Sequence, residues 1–173
     1  MSDVLMYARY NEAGNRAIYD ILSKLSNEER EKDRKSYSGS LSGLFRHIIG
    51  GTRFFLGMYG AVLGGKAAGA LKVLDAASFP EGTLTEAQWE KLDGTLKTVD
   101  GAYVNMAAAL TDSDCRLPLK TEWYGGNPAE VPLSFMLSQL VVHNTHHRGQ
   151  ISQILDSLKI DNDYSGINAA FLA

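Results

Sequence analysis

The sequence predicts an all-α protein, an antiparallel four-helix bundle, and three observations carry that expectation. Four segments repeat their apolar residues at the 3.6-residue period of amphipathic helices. Extended, turn-punctuated sequence is confined to one short stretch before the last of them. The composition, 45% apolar and 21% charged over 173 residues, suits one soluble domain with a continuous core, taken here as residues 1–173.

The first helix is expected from about Asp3 to Leu25, with Val4, Ala8, Ile18, Tyr19, Leu22 and Leu25 on one side. The run Asn27-Glu28-Glu29-Arg30-Glu31-Lys32-Asp33-Arg34-Lys35 breaks the period and reads as a solvated connection. Ser40 is a good cap for a second helix that continues past Phe55 towards Met58 or Val62. Residues 64–82 are rich in Gly and Ala, end in the turn-like Pro80-Glu81-Gly82, and read as a connection with room for a short helix. Thr85 followed by Gln88 is a capping-box pattern, and Trp89, Leu92, Leu96, Val99, Tyr103, Met106 and Leu110 then form the seam of a third helix. Between Leu117 and Leu133, prolines around Gly125-Gly126-Asn127 suggest a small hairpin or ordered loop. The fourth helix is expected over Leu133 to Leu158.

Bulk properties exclude several classes of function. A net charge of -3 gives no electrostatic reason to expect nucleic acid or an anionic membrane as partner. The single cysteine, Cys115, rules out an intrachain disulfide. No apolar run approaches the ~18 residues of a membrane span, and the N-terminus lacks the pattern of a secretory signal. A cytoplasmic protein is the expectation.

Only four histidines occur, at 47, 143, 146 and 147. At ~100° per residue, Met136, Leu137, Leu140, Val141, Ile151, Ile154, Leu155 and Leu158 mark one arc of the fourth helix. His147 falls inside that arc, His143 at its edge, and His146 well outside. His47 falls on an apolar face of the second helix beside Gly51, Phe54 and Met58. Alone, it would read as a hydrogen-bonded core residue. With an i, i+4 pair facing it, three inward imidazoles make a three-nitrogen site for a divalent ion, leaving positions open for water or substrate. Asn11 and Asn15 on the first helix, and Asn144 and Arg148 on the fourth, also fall on apolar faces. Buried polar groups need partners, which a polar cavity or helix-to-helix hydrogen bonds would supply. For Arg148 a salt bridge between helices is the expected tie, and Gly149 in mid-helix suggests close packing against a neighbour.

The segment His143-Asn144-Thr145-His146-His147-Arg148-Gly149-Gln150 resembles the fourth-helix signature of the DinB superfamily, the damage-inducible DinB and YfiT-like proteins. His47 within Leu44-Phe45-Arg46-His47-Ile48-Ile49 matches that family's second-helix histidine, and the helix order fits over nearly the whole chain. The resemblance implies a four-helix bundle with a metal site of His47, His143 and His147, zinc or nickel as the ion, and a homodimer. Relatives in the superfamily include thiol-dependent transferases, so it also implies a low-molecular-weight thiol as a cofactor to test. Two functions compete: a metal-dependent thiol S-transferase or hydrolase, and a non-enzymatic small-ligand binding or stress-response protein. No catalytic residue is named by the sequence, since His143-Asn144-Thr145-His146-His147 lacks the glutamate of metalloprotease helices.

Overall fold

A computed structural model of the chain describes residues 3–76, 79–80, 82–123 and 126–163. Glu81 and Gly125, from two of the expected turns, lie outside the described residues, as do positions 164–173 of the expected domain. In chain order the elements are α1 (Asp3–Leu22), α2 (Asn27–Glu31), α3 (Leu41–Leu63), α4 (Ala68–Ala76), α5 (Glu86–Ala109), α6 (Asp112–Cys115), β1 (Pro118–Trp123), β2 (Asn127–Pro132) and α7 (Leu133–Ser157).

The four long helices bury their apolar stripes against one another, α1 chiefly on α5 and α3 chiefly on α7. Side-chain pairs fix the directions. Tyr19 meets Trp89 while Asn15 meets Asp100, so α5 descends as α1 rises. Asn144 reaches Thr52 while the Tyr59 hydroxyl donates to the Met136 carbonyl, so α3 and α7 are likewise antiparallel. Across the bundle, Phe45 meets both Tyr19 and Trp89, which sets α3 and α5 running the same way. That parallel step explains the long second connection between the four long helices: the chain must return along the bundle before α5 can start. It does so through a 3-10 turn over Gly64–Lys66 and then α4, which packs on α5.

Caps start the helices where the sequence placed them. Ser40 Oγ accepts from Gly43 N, and Thr85 with Gln88 completes a capping box. A small antiparallel hairpin pairs Pro118 with Pro132 through Trp123 with Asn127, and Leu119 on it is buried.

Three expectations need correction. The charged run after α1 contains α2, capped by Ser26, and it is not all solvated. Arg30 is fully buried, donating to the carbonyls of Leu22 and Leu25 and to Glu86, with its guanidinium 4.8 Å over the Trp89 ring. It closes the exposed carbonyls at the end of α1, which a solvated loop would leave to water. Phe54 does not join the core: it is 63% exposed, because His47 and Gly51 face the site while residue 54 lies at the rim. A Cβ on Gly149 would meet nothing within 4 Å, so no packing contact requires glycine there.

Arg30→Ala removes these carbonyl contacts and the stacking on Trp89 together. The expected cost is about 2–4 kcal/mol, read as a lower denaturant midpoint in chemical unfolding followed by circular dichroism.

Candidate metal centre

The three inward histidines come together. One nitrogen each from His47, His143 and His147 lies within 4.8 Å of the others, and ring centroids are 4.4 to 5.0 Å apart. His147 is buried, His47 and His143 half-buried, and His146 exposed on the outer side of α7. One turn of α7 separates His143 from His147, and His47 meets them from the antiparallel α3. The approach is close enough to dictate Gly51. A Cβ there would lie 2.5 Å from His143 Cε1, so any side chain at 51 would push the ring out of place.

The nitrogens are prepared as electron-pair donors. His143 Nε2 and His47 Nε2 are 3.1 Å apart. His147 Nδ1 donates to Gln150 Oε1 at 2.7 Å and His143 Nδ1 to Asn144 Oδ1 at 3.0 Å, which puts the lone pair of each ring on Nε2, that of His143 facing His47 Nε2. Burial, and then the neighbouring rings of His147 and His143, lowers the His47 pKa to about 4. Burial lowers His143 and His147 as well. All three imidazoles are therefore neutral at neutral pH, the form that binds a cation. Three clustered neutral nitrogens with oriented outer hydrogens fit a divalent ion, and this group could hold one.

Behind His143 the polar residues of the apolar faces form one network. Arg148 donates through Nη1 to Asn11 Oδ1 at 2.9 Å and Asn15 Oδ1 at 3.2 Å, and its guanidinium sits 4.8 Å over the Tyr10 ring. Both amide nitrogens then face Asp100: Asn11 at 3.2 Å from Oδ1, and Asn15 at 3.0 and 3.2 Å from the two oxygens. Asn144 Nδ2 donates to Asn11 Oδ1 at 2.8 Å and to Thr52 Oγ1 at 2.9 Å, so its own oxygen is left for His143. The tie expected of Arg148 thus reaches a carboxylate through two amides.

Sequence reasoning passed over Asp100, Thr52 and Tyr37. Asp100 was legible: it stands one turn after Leu96 on the seam of α5, a charge where the pattern calls for an apolar residue. Thr52 stands one turn after Ile48 and could be read the same way. Tyr37 carried no periodic signal. It sits in a tight turn in which Arg34 N donates to Gly39 O and Gly39 N to Ser36 O, with Lys35 and Gly39 at positive φ. Its ring, 76% exposed, overhangs the site 5.3 Å from His47 and 5.9 Å from His147.

Burial pushes the Asp100 carboxyl up to about 8, against the downward pull of the Asn15 hydrogen bond and the Arg148 charge. A carboxyl raised in the folded state holds its proton there while the unfolded chain has already lost it. The contribution of Asp100 to stability is therefore greatest at acid pH and falls as pH rises from about 4 towards about 8. Asp100→Asn should flatten that part of the profile, measured as denaturant midpoint against pH.

The model of the DinB family matches residues 1–158 of the chain, which takes in all four long helices and all three inward histidines. No curated protein and no solved structure matches the chain significantly. With nearly its whole length covered by that match, the chain belongs to the DinB family.

Proposed function

We propose that the protein is a metal-dependent enzyme, a thiol S-transferase or a hydrolase, with His47, His143 and His147 as the ligands of one zinc or nickel ion. The observation that carries this reading is the set of three neutral imidazoles converging beside an open cleft. A divalent ion held there would lower the pKa of a thiol or water at its remaining positions, because three neutral ligands leave its charge undiminished. The chain supplies the rest. Asn144 and Gln150 fix the ring orientations, and the Tyr37 ring covers one side of the ligand set. The cleft beside His47 and His143 gives a substrate access to them. No carboxylate or thiol joins the three-histidine group among the described residues, which argues for an open site over a closed structural one.

Two measurements test the proposal. Protein purified without an affinity tag should carry about one divalent ion per chain, by elemental analysis. His147→Ala should lose the ion and stay helical; His146→Ala, altering an exposed ring, should keep it. Equal ion content in wild type and His147→Ala would remove the metal reading.

With cobalt as the ion, azide or a small thiol should change the visible spectrum, since an open position accepts a further ligand. A spectrum unmoved at saturating azide would mean a closed site and would end the enzymatic reading. Thiol-transfer and ester-hydrolysis assays on the loaded protein then separate the two reaction classes.

A further inference from the structure

The cleft beside the histidines has a composition that the ligand set does not explain. Its volume is about 590 Å³, within the range of small-molecule sites, and it is walled by Phe54, Phe55 and Phe79 as well as by His47 and His143. Phe54 stands 63% exposed at its rim, an arrangement that costs solvation unless something covers the ring. Phe79 is held in place by the Arg53 guanidinium, 5.3 Å from its ring centroid. Gly50 contributes no side chain, and a Cβ there would already press on Phe79 at 3.3 Å. The walls are thus flat, aromatic and closely fitted.

Against this apolar lining stands one permanent charge, Arg46. It precedes His47 by one position on α3 and donates through Nη1 to the Pro80 carbonyl at 3.1 Å. Its Nε is buried without a hydrogen-bond partner, and no carboxylate pairs with it among the described residues. A guanidinium cannot lose its charge, and its fork of donors matches a carboxylate in shape. Of the fully buried arginines, Arg30 pairs with Glu86, and Arg148 spends its donors on the amide oxygens of Asn11 and Asn15. For Arg46, at the cleft, a bound anion would supply the compensation.

We propose that this cleft binds a small organic carboxylate with an aromatic body, the carboxylate on Arg46 and the ring between Phe54 and Phe79. The proposal deepens the enzymatic reading by naming its substrate class. It rests on that reading for the role of the bound acid as substrate, and on Arg46 and the phenylalanines for the binding itself. In the ion-free protein, selection by charge falls to Arg46, the one charged side chain among the cleft's lining. A cationic or neutral compound of the same shape would gain the aromatic contacts and lose the ion pair.

The probe is 3-phenylpropionate, compared with 3-phenylpropanol by calorimetry on the full chain, both zinc-loaded and stripped with chelator. The acid should bind about tenfold or more tightly than the alcohol in both forms, as expected of a charge-assisted pair. Arg46→Gln should bring the acid down to the affinity of the alcohol, with Arg46→Lys between them. Phe54→Ala, altering an exposed residue, should weaken both compounds about threefold or more. Equal binding of acid and alcohol by the wild type, or binding of neither, overturns the proposal. A preference seen only with zinc and surviving Arg46→Gln also overturns it, since the ion would then hold the anion, and it leaves the metal reading standing. An Arg46-dependent preference in a protein that takes up no zinc supports the proposal while the metal reading falls. Should Arg46→Gln fail to fold, Phe54→Ala decides: unchanged affinity for both probes overturns the site.

Discussion

Arg148 can only donate hydrogen bonds, and the geometry of the whole interior follows from that restriction. Because it donates to the side-chain oxygens of Asn11 and Asn15, both amides must present nitrogen to Asp100. Because Asn11 oxygen also takes the Asn144 nitrogen, Asn144 must present oxygen to His143. The His143 ring hydrogen is thereby fixed on Nδ1 and the lone pair on Nε2, facing His47. One donor-only side chain sets the tautomer of a ring two residues removed from it in the network. Four helices join in: α1 through the asparagines, α3 through Thr52, α5 through Asp100 and α7 through Asn144 and Arg148.

A buried network of this kind stabilises only when every member is satisfied, and two apolar layers flank it. On one side Tyr19, Phe45 and Trp89 pack together, Tyr19 stacked on Trp89 with centroids 5.2 Å apart. On the other, Tyr59, Tyr103 and Met136 are all at most 3% exposed. The bundle thus pays for a polar stratum with aromatic walls on both faces. In return it gains orientation at the histidines, which an apolar layer of the same volume would not provide.

Much of this was legible in the sequence, for identifiable reasons. The long helices announce themselves by period and by the Ser40 and Thr85 caps, both local signals. The inward histidines and asparagines were found by placing polar residues on apolar arcs, a rule that works because buried polar groups are rare without partners. What stayed hidden was the identity of those partners. Asp100 and Asn15 are 85 residues apart, and no local pattern says that α1 and α5 are neighbours. Arg30 was misread because a highly charged five-residue helix has no apolar stripe to reveal its inner side. Tyr37 reaches the histidines through a turn whose conformation depends on backbone angles at Lys35 and Gly39. Gly51 and Gly149 look alike in sequence, yet only the first faces a neighbour's ring.

The separation of His47 and His143 by 96 positions also bears on the order in which the molecule matures. The pair on α7 is local and can assemble as soon as that helix winds, within the time of a helix-coil event of about a microsecond or less. The third nitrogen arrives only after the chain has closed a long loop through α4, α5 and the hairpin, the slow, non-local part of folding. An ion met early would be held by two rings and exchange readily; the same ion met by the finished bundle finds three. Tight capture of an ion would in this way be reserved for chains that have completed their topology, and an ion so bound would draw the equilibrium towards them.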